Sequence, residues 1–351
     1  MHYRFGIVGA GMIAGIHAQA LDAMPNASLS AIMDRGTGDG ERIAPGLDRS
    51  GCDDLRTFAA RADVDIVCIA SPSGAHLEAA LAAAEAGKHC ISEKPMEVTV
   101  ERIDRMIEAH RRAGTTLGGL FNTRYTEGAQ LLKAAAEAGR FGRLTYAAAV
   151  GPWWREQSYY DDSSWKGTWA LDGGGALMNQ GIHSVDLLQW LVGARVRRLS
   201  GRIATLAHER VEVEDTASAT LEFDNGALGH IACTTSMWPG HYRTVTLAGD
   251  AGTAVLADGN LLQWSFRDQT PEDERIRARL QRLPGASVGA SDPSAGITAD
   301  GHRSAFEAFL QALDEDRAPA VDGAEARKAV AIIRAVYASS QLGGQAIDVD
   351  M

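Results

Sequence analysis

Cysteine is scarce in this chain. Among 351 residues there are four, Cys52, Cys68, Cys90 and Cys233, far apart and in no CxxC spacing. That excludes a disulfide framework and a structural zinc site, and it suits a reducing cytoplasm. Positive charge is also in deficit: 34 Lys and Arg stand against 45 Asp and Glu, a net charge of -11. A general nucleic-acid or anionic-membrane binder needs the opposite balance to neutralise phosphates, so neither partner is expected. No apolar run is long enough to span a bilayer, and the start of the sequence carries no basic n-region or twin-arginine leader, so a cytoplasmic protein is expected. Aromatic residues amount to only 6%, and many of them crowd into residues 153–169. No internal repeat or low-complexity block is present.

The length suits two domains, each with its own core. The first begins with a short apolar strand, Tyr3 to Val8, which runs into Gly9-Ala10-Gly11-Met12-Ile13-Ala14 and a helical stretch. This is GxGxxA between a strand and a helix, where glycines permit a tight turn and close approach of a pyrophosphate to the helix N-terminus. Gly9, Gly11, Met12 and Ile13 are therefore cofactor candidates. The next strand, residues 28–33, ends at Asp34, about twenty residues beyond the glycines, where an acid hydrogen-bonds ribose hydroxyls and repels a 2′-phosphate. NAD is expected on that ground. The adjacent Arg35 could stack on adenine or hold a phosphate, which leaves NADP open.

Strands and helices go on alternating. A buried parallel strand over residues 64–70 ends at Ser71-Pro72, and a helix follows from His76. The strand at 88–92 leads into Glu93-Lys94-Pro95, and a strand at 115–121 ends at Asn122-Thr123-Arg124-Tyr125. In a doubly wound sheet these strand ends face the cofactor, so Ser71, Pro72, His76, Glu93, Lys94 and Asn122 join the cofactor candidates. Lys94 is placed to reach the crevice where nicotinamide would lie.

From residue 144 the texture changes to strands at 144–150, 198–207, 216–223, 227–234, 244–248 and 252–257 linked by turns, the pattern of an antiparallel sheet. The fold class is α/β: a Rossmann domain (1–122), then an α+β domain with an open, mostly antiparallel sheet (123–351). An insertion rich in aromatics and cations, Trp153-Trp154-Arg155 through Tyr159-Tyr160 and Trp165-Lys166, suits a sugar ring and a nucleotide. It leads into Gly173-Gly174-Gly175 and a helix on which Asn179, His183, Asp186 and Trp190 fall on one face, opposite Leu177, Val185, Leu188 and Val192. Such a helix offers polar groups to a cleft. No metal is expected, since His183 and Asp186 lack a third ligand at suitable spacing. Residues 267–301 read as loop or mobile helix, and residues 300–316 and 323–342 as amphipathic helices.

In this order, GxGxxA, Asp34, Glu93-Lys94-Pro95, Asn122-Thr123-Arg124-Tyr125 and the GGGxLxxxGxHxxDLL stretch resemble the glucose-fructose oxidoreductase/inositol dehydrogenase/MocA family, nearly end to end. The resemblance implies nicotinamide-dependent oxidation or reduction of a secondary alcohol on a sugar, sugar nucleotide or cyclitol. It also implies C-terminal helices that cross back onto the first domain and a homodimer or homotetramer. Lys94 matches the family lysine that contacts the reacting hydroxyl, and His183 the histidine that handles the proton. The family pairs that histidine with an aspartate four residues earlier, where this chain has Asn179. Arg124, Tyr160, Trp165 and Lys166, with Lys94, Asn179 and His183, are the expected substrate contacts. The same resemblance covers non-catalytic, cofactor-sensing regulators, but retention of both Lys94 and His183 favours the enzyme.

Overall fold

The computed structural model describes residues 1–34, 39–47, 54–280 and 298–351. The chain divides into two units. The first comprises residues 1–122, 170–173 and 297–327, and the second residues 123–169, 174–296 and 328–351. Arg35 lies outside the described residues.

The first unit alternates β1 (Tyr3–Val8), α1 (Met12–Asp22), β2 (Ala27–Met33), α2 (Asp39–Ile43), α3 (Leu55–Ala59), β3 (Ile66–Ile69), α4 (His76–Glu85), β4 (His89–Ser92), α5 (Val100–Ala113) and β5 (Leu117–Gly119). Its five strands are parallel, in the order β2-β1-β3-β4-β5. Every residue of β3 is buried, as a strand covered on both faces must be. Local chemistry sets the helix ends. In α5, Thr99 caps the N-terminus by accepting from Arg102 N at 3.3 Å, Arg111 and Arg112 meet the C-terminal dipole, and Gly114 stops the helix at φ 65°.

The second unit contains α6 (Glu127–Glu137), β6 (Leu144–Pro152), the short α7 (Ser158–Asp161), a π-helical turn (Ala176–Gly181) that continues into α8 (Ile182–Val192), then β7 (Val196–Ala204), β8 (Thr216–Phe223), β9 (Leu228–Thr234), β10 (Thr244–Gly249), β11 (Gly252–Ala257), β12 (Asn260–Phe266) and α9 (Pro271–Leu280). After these come α10 (Ala299–Asp314), α11 (Gly323–Gln341) and β13 (Ile347–Asp348). The second sheet runs β12-β11-β10-β6-β9-β8-β7-β13, antiparallel throughout except for the parallel pair β6 and β9. One face is buried: in β8 the inward residues Ala217, Ala219, Leu221 and Phe223 alternate with more accessible ones. α10 belongs to the first unit and packs on α1, with Phe306 edge-on to Phe5 and to His17 at ring separations of 5.5 and 5.4 Å.

Two features depart from the sequence reading, β12 and the opening of the glycine-led helix. β12 was not expected; Asp258 and Gly259, at φ 43° and 86°, form a two-residue hairpin turn that brings Asn260 back onto Ala257, the Asp-Gly pattern of a type I′ turn. Residues 271–280 are helical, within the stretch read as loop or mobile helix, and residues 281–297 lie outside the described residues. The glycine-led helix opens with a π turn instead of running on as a regular helix. Among the described residues no helix is long and apolar enough to cross a membrane.

Candidate active site

At the carboxyl end of the first sheet, Gly9 has φ +107°, and a Cβ there would lie 2.7 Å from Ala70 O and 2.9 Å from Ser71 N. Only glycine allows β1 to turn so close to the end of β3. Gly11 caps α1 with no side-chain bond, and its Cβ position faces open space. The first N–H groups of α1 therefore stand uncovered beside Met12, which is 58% exposed, and Ile13. Asp34 follows β2 directly, and its Oδ2 accepts from Gly40 N at 2.9 Å. An uncovered helix N-terminus, a side-chain-free approach and a carboxylate at the next strand end fit a dinucleotide with an unphosphorylated ribose. Ser71 and Pro72 are partly accessible at the end of β3. His76 is not: it is fully buried, with Nε2 2.9 Å from Ser71 O and Nδ1 3.0 and 3.1 Å from Pro95 O and Met96 O. Expected to meet the cofactor, it instead ties together the two loops that would.

Residues 90–98 are buried with one exception, Lys94. Glu93 N donates to Ile69 O, and Glu93 Oε2 accepts from Lys94 N at 3.0 Å. Glu93 Oε1 faces His17 Nε2 at 2.9 Å and His302 Nε2 at 3.3 Å. Burial would push this carboxyl up, but the two imidazoles outweigh it and hold it well below the usual range. Among the described residues these three are the ones whose ligand atoms cluster closely enough for a metal ion. Imidazole N–H facing carboxylate oxygen satisfies both partners without one, so they are read here as hydrogen-bond partners. Asn122 lies at the far side of His302, with Nδ2 3.4 Å from its Nδ1.

In the second unit the glycine run answers to a carboxylate. A Cβ on Gly175 would collide with the Glu214 backbone, and one on Gly174 with the Tyr337 hydroxyl. Glu214 is buried beneath them and accepts from Gly175 N at 2.9 Å, Leu177 N at 2.7 Å and Tyr337 Oη at 3.0 Å. Burial pushes its pKa up. This anchor holds the π turn, from which Asn179 and Gln180 emerge partly accessible, as does His183 in the first turn of α8, while their neighbours are buried. The wide turn is the kind of irregularity often found at working sites.

Asp186, read from the sequence as facing a cleft, is completely buried, and Arg124, read as a substrate contact, holds it in a bidentate pair at 2.7 and 2.5 Å. A buried carboxylate demands such a partner, so this pair fastens α8 to the turn at residues 122–125. Tyr160 is likewise buried, its hydroxyl 3.1 Å from Thr235 Oγ1. Its neighbour Tyr159 is the more accessible tyrosine. Lys166 Nζ sits 3.8 Å above the Tyr159 ring, the Tyr159 hydroxyl accepts from Gln180 Nε2 at 2.8 Å, and Gln180 Nε2 also reaches Asn179 Oδ1 at 3.2 Å. Arg155 donates to Gln180 Oε1 at 2.9 Å. Trp165 is partly accessible nearby in sequence. Tyr159, Gln180 and Arg155 were not singled out beforehand; aromatic and cationic density marked the segment but not which of two adjacent tyrosines points outward.

Residues 3–119 match the oxidoreductase family with an NAD-binding Rossmann fold, and residues 129–255 match the GFO/IDH/MocA C-terminal domain. The structure superimposes with a TM-score of 0.87 on the WlbA dehydrogenase from Bordetella pertussis in complex with NADH and UDP-GlcNAcA, at 32% identity and 100% coverage of both chains. Myo-inositol 2-dehydrogenase of Thermotoga maritima is 28% identical over 73% of this chain and 75% of its own length. D-glucoside 3-dehydrogenase of Escherichia coli is 26% identical over 84% and 91%.

Proposed function

This chain belongs to the GFO/IDH/MocA oxidoreductase family, and from that premise we propose that it interconverts a secondary alcohol and a ketone on a sugar, cyclitol or nucleotide-linked sugar, with Lys94 holding the reacting oxygen and His183 moving the proton. The observation that carries the reading is Lys94, the one accessible residue in an otherwise buried turn at the carboxyl end of β4. Gly9, Gly11, Met12 and Ile13 would hold the pyrophosphate of NAD, Asp34 its ribose, and Ser71, Pro72 and Asn122 the half nearer the chemistry. When bound, NAD supplies the hydride acceptor.

Lys94 Nζ donates to the substrate oxygen, and its charge favours the alkoxide character that grows as the C–H bond breaks. His183 takes the hydroxyl proton on a ring nitrogen and returns it in the reverse direction, a task for which an imidazole is suited near neutral pH. Asn179 orients the substrate, and Tyr159, Trp165 and Lys166 offer aromatic faces and a cation to a sugar and its substituents. The Bordetella complex with UDP-GlcNAcA puts nucleotide-linked sugars first among those to try.

The test is NADH absorbance on incubation with NAD and a panel of free sugars, cyclitols and UDP-sugars, followed by product identification. Turnover of at least one class, lost in Lys94→Ala, is expected. NAD binding without turnover of any class would overturn the reading in favour of a cofactor-sensing regulator.

A further inference from the structure

The reaction as read uses Lys94 but leaves unexplained why two buried histidines from distant parts of the chain converge on its neighbour. We propose that His17 and His302 are positioning residues for Lys94, acting through Glu93; the inference rests on Lys94 being the group that touches the reacting oxygen.

Glu93 is fixed at both ends. Its amide is bound to Ile69 O at 2.9 Å, and its Oε2 closes on the amide of Lys94 at 3.0 Å, so the orientation of this carboxylate defines the backbone from which the lysine projects. What orients the carboxylate is the pair of imidazoles on Oε1, one from α1 and one from α10. His17 is itself held in one tautomer. Burial, and then the Glu93 charge, keep the Cys68 thiol protonated, so its S–H donates to His17 Nδ1 at 3.3 Å and leaves Nε2–H to face Glu93. Burial also lowers the His17 pKa, consistent with a neutral ring. His302 lies against His17 at 5.2 Å between ring centres, and Phe306 closes the other side. His17, Glu93 and His302 are 0, 7 and 3% exposed, so water cannot replace a lost donor. A flexible lysine delivers charge to a defined point only if its backbone is rigid, and a displacement of about 1 Å at a reacting group costs on the order of a hundredfold in rate.

The experiment compares His17→Leu and His302→Leu, which remove the N–H, with His17→Gln and His302→Gln, which keep an amide N–H near the place of Nε2–H. Each is made alone and combined with Lys94→Ala, and kcat, KM, the NAD dissociation constant by calorimetry and the melting temperature are measured. The leucine variants should lose about tenfold to a hundredfold in kcat, with NAD affinity within about twofold of wild type, and the glutamine variants should recover most of the loss. In the Lys94→Ala background neither histidine change should lower kcat further, because the residue they act through is gone. Wild-type kcat in the leucine variants, a parallel loss of NAD affinity, or losses that add in the Lys94→Ala background would each overturn the inference. A Lys94→Ala protein with wild-type kcat would instead remove the reading beneath it. If the leucine variants do not fold, Glu93→Gln takes their place, with the same kcat loss and the same non-additivity expected and wild-type kcat overturning.

Discussion

The hydroxyl of Tyr337 donates to Glu214 Oε1 at 3.0 Å, and the same hydroxyl leaves no room for a Cβ at Gly174. A residue near the end of the chain thus holds the turn that carries Asn179 and leads into His183 on α8. Tyr337→Phe should destabilise the protein by ~0.5–1.5 kcal/mol through the lost hydrogen bond and should raise KM more than it lowers NAD affinity. Chemical denaturation and steady-state kinetics decide it; unchanged kinetics would show that the π turn does not depend on this anchor.

Glu214 also predicts a pH dependence. Its carboxyl is pushed up by burial, so the folded state retains a proton that the unfolded chain has lost, and this contribution to stability is present at low pH and declines as pH rises above about 4.3. Glu214→Gln carries no titrating proton. The melting temperature of the wild type minus that of the variant should therefore fall from pH 4.5 to pH 7.5. A difference that rises would mean that the donors on Glu214 outweigh its burial.

Asn179 is proposed to neighbour His183, and an acid there would push the imidazole pKa up. Asn179→Asp should retain activity and move the acidic limb of the rate profile to higher pH, since the nearby carboxylate favours imidazolium and the base form then requires a higher pH. His183→Ala should nearly abolish turnover. A limb that stays in place would show that the two side chains do not interact, and an active His183→Ala enzyme would pass the base role to Lys94 or a tyrosine.

Asp34, at the end of β2, should make NAD bind more tightly than NADP. Asp34→Ser should narrow the difference, as read by calorimetry with both dinucleotides. A wild-type preference for NADP would refute this role.

The second sheet leaves apolar groups on its open face. Tyr146 on β6 and Leu228 on β9 pair in register, 39 and 60% exposed. Association of copies through this face should give a dimer or tetramer in light scattering, and Leu228→Glu should weaken it. A wild-type monomer at micromolar concentration would rule this out.

What the sequence revealed was local. The glycines around residue 10, the acid after β2 and the period-two strands act over a few residues, and pattern reading finds such features. The turn at Asp258-Gly259 is equally local, an Asp-Gly pair between two strands. The pairing of Arg124 with Asp186 was legible only as two polar residues: helical spacing said which face Asp186 shares, not that a cation from another segment would be buried against it. Tyr159 and Tyr160 differ by one position, and which of them faces outward depends on the short α7. His17, Glu93 and His302 are the extreme case, since nothing near any of them in sequence announces the other two. Glycines 173–175 stand out in the sequence, but the reason for them, Glu214 and Tyr337, lies elsewhere in the chain.

The parallel pair in the second sheet has a consequence for how this protein is made. β6 lies between β9 and β10 and is synthesised well before either. Translation proceeds at about 5–20 residues per second, so residues 144–152, which carry no charged side chain, wait with both backbone edges unpaired until β9 has left the ribosome, and with one edge unpaired until β10 has followed. Pairings so distant along the chain form slowly. The second unit is therefore completed late, and during synthesis its central strand is the segment most in need of shelter from other nascent chains.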